Sequence, residues 1–411
     1  MKILFVCHRL PFPPNRGGKI RPFNMIRHLG ETHTVTVASL AESHDELRDG
    51  RGLRDYCSEV MVEMVPKSVR WFRAWKALFS SCPSSVAYFL SPELHRRIQD
   101  ALHKTQFDAV FVHCAFMAQY VLDATAPLRI LDYGDLDSAK WSEYSRCRAF
   151  PLSLGYRLEA SKMQNYEKRV AGHFDRCTVT TPGELEEFGK LDMGVPCSVI
   201  PNGVDLEYFR SQSPTGDPHV IVFVGRMDYF PNIDGALYFA KQIFPIIRRS
   251  MPDAQLRIVG SNPARAVQDL ATIPGITVTG HVPDVRPYLD DAAVAVAPLR
   301  LARGTQNKIL EALAMGVPVV ATPQAAKGVN VTPGRDLLVG EDEASFAKQV
   351  ISLTQNESLR KELSDAGRRK VMETHRWSFS MNLLDEIFER RVTEEKGSVE
   401  DHVSVSQGNE F

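Results

Sequence analysis

Between Arg303 and Thr322 the chain reads RGTQNKILEALAMGVPVVAT, and two of its side chains are oddly placed. Ile309, Leu310, Leu313 and Ala314 recur at helical spacing, Gly316 stops the helix, and Pro318 to Ala321 begin a buried strand. Thr305 is the expected N-cap, which puts Lys308 in the first turn and Glu311 one turn later on nearly the same face. A lysine at the positive end of a helix dipole is disfavoured by about 0.3–1 kcal/mol. A bound phosphate reverses that sign, because the free N–H groups of Gly304, Thr305, Gln306 and Asn307 and the Lys308 ammonium would all face it. Glu311, a turn deeper, could accept hydrogen bonds from both hydroxyls of a ribose. The chemistry suggested is binding of a nucleotide, phosphate first and ribose behind. A plain core helix, with a snorkelling Lys308 paired to Glu311, is the competing account.

Other candidates follow strand-like runs. In VIVFVGRMDYFPN, Arg226 comes just after a strand, where its planar fork suits a diphosphate. In HRLPFPPNRGGKIRPF the first strand gives way to a Pro-rich loop and to Gly17-Gly18, whose type permits positive φ and close backbone approach to a ligand. Neither a G-x-G-x-x-G fingerprint nor a phosphate loop ending in Lys-Ser/Thr is present, which counts against a nicotinamide dehydrogenase or a nucleoside triphosphatase. His113 ends DAVFVHC, and LDYGDLDSAKW brings Asp132, Asp135 and Asp137 to another strand end. Those aspartates suit a base or ordinary turn chemistry better than a metal, since no His or Glu lies at ligand spacing nearby. PKSVRWFRAWKALF interleaves Lys67, Arg70, Arg73 and Lys76 with Trp71, Phe72, Trp75 and Phe79. That pattern fits a bilayer surface, and fits better a helix with its aromatic face in the core.

Strands are expected at KILFVCH, TVTVASL, EVMVEMV, DAVFVHC, LRILDY, RCTVTT and CSVIP, and again at HVIVFVG, AQLRIVG, GITVTG, AVAVAP, PVVAT and DLLVG, with helices between them. Such alternation implies α/β architecture with parallel sheets, and two series exceed one compact sheet. Two Rossmann-like doubly wound domains are expected, 1–205 and 217–375, with a helix at 376–393 returning to the first and a disordered tail over 394–411. Ligands of such sheets bind beyond the strands' carboxyl ends, so a cleft between the domains is expected to hold the site. The net charge of −1 provides no field for nucleic acid. Seven scattered cysteines without a CxxC pair, a first strand too short for a signal peptide and no long apolar run suggest a reduced, cytoplasmic protein.

Taken together, these segments resemble the retaining glycosyltransferases of the GT-B fold, family 4, and most nearly the sugar transferases of exopolysaccharide and PEP-CTERM systems. The likeness rests on VIPNGVD, FVGRMD, VTGHVPDVRPYL, KILEALAMGVPVVAT, the Gly17-Gly18 loop and His113, in order along nearly the whole chain. It implies a hexosyl-type transfer from a UDP- or GDP-linked sugar to a glycan or lipid-linked acceptor in cell-surface glycan synthesis, with no cofactor and no metal. The basic, aromatic stretch 67–79 leaves room for peripheral contact with the inner membrane surface. The implied donor residues are Gly18, Arg226, Val282 (near His281), Thr305, Gln306, Asn307, Lys308, Ile309 and Glu311. Gly17, Gly18 and Asp132 are implied on the acceptor side, and His113, Arg226 and Lys308 at the chemistry. Two departures stand out. Arg303 occupies the place of the family's first glutamate, and Pro231-Asn232 lies where a lysine is usual, so Lys308 would supply that charge. An epimerase on the same fold, or a non-catalytic nucleotide-sugar binding or assembly protein, are the rival readings.

Overall fold

The computed structural model describes residues 1–211 and 216–389; the tail expected at 394–411 lies outside them. Among these residues, thirteen strands form two all-parallel sheets. The chain divides into two compact units, Met1–Pro201 with the segment from Ser380 onward, and Asn202–Phe379.

In the first unit the strands are β1 (Lys2–Cys7), β2 (Thr34–Ala41), β3 (Glu59–Met64), β4 (Ala109–His113), β5 (Leu128–Gly134), β6 (Arg176–Val179) and β7 (Cys197–Val199). They lie in the order β3-β2-β1-β4-β5-β6-β7. Their sequences are β-branched and apolar with little alternation, because both faces are covered; Ile3 to Cys7 and Val110 to Val112 are fully buried. Helix Gly17–Thr32 follows β1, and helices Asp137–Cys147 and Leu152–Ala171 separate β5 from β6. The last described helix, 377–389, enters this unit from Ser380 on, where Asp385 accepts from His28 Nε2 at 2.8 Å.

The second unit holds β8 (Asp217–Val224), β9 (Gln255–Val259), β10 (Ile276–Val278), β11 (Ala292–Ala297), β12 (Val319–Ala321) and β13 (Leu338–Val339), in the order β10-β9-β8-β11-β12-β13. Both sheets therefore grow one way through their first three strands and then cross to the other side of the first, so the reversal point lies between β1 and β4 and between β8 and β11. A crevice opens at such a reversal, at the strands' carboxyl ends. Helix Asn307–Ala314, after β11, buries Ile309, Leu310 and Leu313 almost completely, at roughly 1.5–3 kcal/mol each. That anchoring lets its polar first turn project at the reversal point.

Candidate functional site

In the second unit, β8 delivers Gly225 and Arg226 to the carboxyl end of the sheet, and β11 delivers the loop that starts helix Asn307–Ala314. Gly304 has φ of +59°, and a Cβ on Gly328 would come within 2.0 Å of the Gly304 carbonyl oxygen. Two glycines thus let this loop turn and lie close to the chain behind it. The N–H groups of Thr305, Gln306, Asn307 and Lys308 meet no backbone acceptor among the described residues. The Thr305 hydroxyl is buried without a partner, a second sign of a site that expects a polar ligand.

Thr305 is not the N-cap. The helix starts one residue later than expected, Gln306 occupies the cap position, and its side chain turns back to donate to the Arg303 carbonyl at 2.9 Å. The positive φ at Gly304 pulls the preceding chain out of helical register. Ile309 is withdrawn as well: its side chain is buried and its N–H donates to the Gln306 carbonyl at 2.9 Å, so neither group reaches a ligand.

Lys308 and Glu311 do not pair with each other. The Lys308 ammonium donates to Asn232 Oδ1 at 2.8 Å, while Asn232 Nδ2 donates to the Arg226 carbonyl at 2.8 Å. Asn232 is itself buried, so it clamps the loop after β8 to the helix start and puts the lysine's charge beside Pro231-Asn232, where a lysine is missing. Burial draws the Lys308 pKa down to about 8, against the pull of Glu311. Burial likewise pushes Glu311 up to about 7, against the pull of Lys308. The carboxylate has no hydrogen-bond partner among the described residues. Both groups gain from a ligand that completes them. Arg226 holds Asp228 through Nε at 3.1 Å and Nη2 at 2.5 Å, with both side chains about 39% exposed, so this fork is free to exchange partners. Val282 follows β10 at the same end of the sheet, half-buried beside an exposed His281.

In the first unit, His113 ends β4 and Asp132 lies beside it in β5. The fully buried Asp132 carboxylate accepts from Arg21 Nε at 2.9 Å and Nη2 at 2.7 Å, from Thr178 Oγ1 at 2.7 Å and from His113 Nδ1 at 2.7 Å. Burial alone would raise its pKa, but Arg21 foremost, with His113, holds it well below the usual carboxylate range. An ionised carboxylate only accepts, so His113 carries its proton on Nδ1 and Nε2 is the nitrogen left for chemistry. Asp132 has no free oxygen and no exposed surface. Its place on the acceptor side is as the residue that aims His113, not as one that touches an acceptor. Of the other two aspartates, Asp135 accepts from Thr180 at 2.9 Å and Asp137 pairs with Lys140 at 3.2 Å.

Sequence reasoning passes over Arg21 and His8. His8 stacks on His113 with ring centroids 5.7 Å apart, and its Nδ1 lies 3.5 Å from the Cys114 thiol. Burial keeps His8 neutral, its pKa well below the ordinary value, with Arg9 next in effect. Its signal was its position, directly after β1 at the reversal point. His8, His113 and Cys114 bring ligand atoms within 4.8 Å of one another and are, among the described residues, a group that could hold a metal ion. Gly17 and Gly18 do not adopt positive φ; they form the exposed first turn of helix Gly17–Thr32, and a Cβ on Gly18 would meet His8 Nε2 at an ordinary 3.6 Å. They leave room above His8 without special backbone geometry.

Solved structures share this architecture end to end. Sucrose-phosphate synthase from Thermosynechococcus elongatus superposes with a TM-score of 0.71 at 16% identity, over 96% of this chain and all of that one. The fold is GT-B. Anabaena HepE in complex with UDP gives 0.66 at 12% identity, over 95% and 100% of the two chains. Residues 218–356 match the family model for glycosyl transferases group 1, a span that contains Arg226, Val282, Lys308 and Glu311. A Bacillus subtilis protein named putative teichuronic acid biosynthesis glycosyltransferase TuaC is 29% identical over 43% of this chain and 46% of its own. An uncharacterized 44.6 kDa protein in the cps region of Klebsiella pneumoniae is 21% identical over 88% and 93%. The family match lies within the second unit, and the likeness to solved structures extends the GT-B fold to both units.

Proposed function

We propose that the protein moves a hexosyl group from a nucleoside-diphosphate sugar to a hydroxyl of a glycan or lipid-linked acceptor, with retention, in the synthesis of a cell-surface polysaccharide. Within group 1, its motifs resemble those of family 4. The observation that carries the reading is the start of helix Asn307–Ala314, where a half-buried lysine and a half-buried, partnerless glutamate lie one turn apart behind four free N–H groups. A diphosphate is the ligand that repays the desolvation of Lys308, and a ribose diol is the ligand that repays that of Glu311.

The chemical task is to break the bond between the sugar's anomeric carbon and the diphosphate. Negative charge grows on the departing oxygen, and Lys308, Arg226 and the helix N-terminus are fixed positive groups that stabilise it. Arg226 gives up Asp228 for the diphosphate at small cost, because that pair is exposed. His113, its Nδ1–H locked on Asp132, offers Nε2 to a hydroxyl of the transferred sugar. Among the described residues the carboxylate beside His113 is Asp132, and it is not free to act as a covalent nucleophile, since both its oxygens are taken. Departure and attack on the same face of the sugar is therefore the favoured course. The relative's printed role in teichuronic acid biosynthesis, and HepE's complex with UDP, support a polysaccharide product and a uridine donor.

Titration calorimetry with UDP and GDP tests the reading. One nucleotide should bind wild type and lose affinity in Glu311→Ala, by about tenfold or more for two hydrogen bonds to a charged group. Binding of neither nucleotide refutes the donor site.

A further inference from the structure

Helix Lys67–Ala77 is inside out. Its buried residues are Arg70, Ala74 and Ala77, and Arg70 has no exposed surface at all. The Arg70 guanidinium donates to the carbonyls of Val65 at 3.0 Å and Ala41 at 2.8 Å. The aromatic face expected in the core is turned to solvent instead: Trp71 is 65% exposed, Phe72 54%, Trp75 56% and Phe79 80%. Those rings stack on each other, Phe72 on Trp75 at 6.3 Å and Trp75 against Phe79 at 5.6 Å, and the Lys76 ammonium lies 4.6 Å from the Phe72 ring.

A second exposed apolar stretch joins the first. Phe150, Leu152, Leu154 and Leu158 are each at least half exposed around the start of helix Leu152–Ala171. Leu154, Leu158 and Lys162 fall four residues apart on one face of that helix. The Lys162 ammonium donates to the carbonyls of Ala77 at 2.9 Å and Leu78 at 3.1 Å, so this stripe runs into the end of helix Lys67–Ala77 beside Leu78 and Phe79. Ten of the fifteen large, exposed hydrophobic residues described, Val69 and Leu78 among them, fall in these two stretches; chance scatter would not gather them.

The charge is as one-sided as the hydrophobicity. No acidic residue occurs from Pro66 to Glu159 within either stretch, 66–84 or 146–158, while Lys67, Lys76, Arg146 and Arg157 are exposed there. Glu159 itself is buried, accepting the N–H groups of Ser84 and Ser85 at 2.8 Å. An aromatic and leucine surface rimmed by cations, in a chain of net charge −1, matches the boundary between anionic headgroups and acyl chains. A second copy of the chain fits poorly, because protein interfaces are depleted in lysine and two such rims would repel.

We infer that this face of the first unit docks on an anionic lipid bilayer, with Trp71, Phe72, Trp75 and Phe79 entering the headgroup layer and Lys67 and Lys76 on lipid phosphates. No helix among the described residues is long and apolar enough to cross a membrane, so the contact is peripheral. The inference stands apart from the transferase reading.

The test is sedimentation of the full chain with vesicles of phosphatidylglycerol and phosphatidylcholine, or of phosphatidylcholine alone. Retention on the anionic vesicles at low salt, release at high salt and a blue shift of tryptophan emission are expected. Lys67→Gln and Lys76→Gln should each weaken retention about fivefold. The double variant Trp75→Ser, Phe79→Ser should abolish the emission shift and most of the retention with an unchanged melting temperature, since both side chains lie outside the core. No retention on anionic vesicles at low salt, retention indifferent to the aromatic variant, or a wild-type dimer in sedimentation velocity that the aromatic variant dissolves would each overturn the inference.

Discussion

Glu311→Gln should weaken nucleotide binding and stabilise the empty protein at the same time. Burial lifts Glu311 from the ordinary 4.5 to about 7, yet only its ionised form can accept both ribose hydroxyls. From pH 7.5 to pH 5.5 the ionised fraction falls from about three quarters to about 3%, so wild-type affinity should drop about twentyfold. The variant has no such titration, and the difference between the two proteins cancels any protonation of the ligand itself. Stability runs the other way. A folded-state pKa raised above the unfolded value contributes stability that is complete below about 4.5 and lost as pH rises through about 7. At neutral pH the ionised carboxylate therefore costs at most about 3 kcal/mol, and about 1–2 kcal/mol once water at the half-buried oxygens is counted. Glu311→Gln should recover that 1–2 kcal/mol at pH 7.5 and nothing at pH 4. Calorimetric affinity and urea unfolding, each across pH, measure the two arms. Equal pH dependence of affinity in both proteins, or a variant less stable than wild type at pH 7.5, refutes the reasoning.

Lys308→Ala should cut turnover by about a hundredfold, the scale for losing one preorganised stabiliser of a leaving group, while uridine affinity changes little. Because burial brings Lys308 to about 8, wild-type turnover should decline as pH rises through that value, and Lys308→Arg should move the decline upward. Asp132→Asn should destabilise the first unit by about 3–5 kcal/mol in thermal or urea unfolding, because Arg21 is left buried beside a neutral amide. His113→Ala should abolish transfer with nucleotide affinity intact, as read by a donor-consumption assay beside calorimetry.

All thirteen strands are legible as short β-branched runs, since parallel strands buried on both faces leave that mark in composition alone. Lys308 and Glu311 are legible because each violates a local preference. The helix start is misplaced by one residue because a positive φ at Gly304 is a choice of loop conformation, and Thr305 satisfies the usual cap rule equally well. Arg21 and Arg70 are invisible for a different reason. A cation on an amphipathic helix reads as solvent-facing unless its acceptors are known, and here those acceptors, Asp132 for one and the Val65 and Ala41 carbonyls for the other, lie outside the helix that carries the cation. The same ambiguity inverts helix Lys67–Ala77: its cationic and aromatic faces are both clear in the sequence, and only the fold decides which one is inside.

The third nitrogen of Arg21 donates to the Ile200 carbonyl at 2.7 Å. Ile200 is the penultimate residue of the first unit before the chain passes to Asn202 and the second. One guanidinium thus grips both the carboxylate that aims His113 and the strand's point of exit. The backbone at that exit and the imidazole are thus two ends of one chain of hydrogen bonds, Ile200 to Arg21, Arg21 to Asp132 and Asp132 to His113.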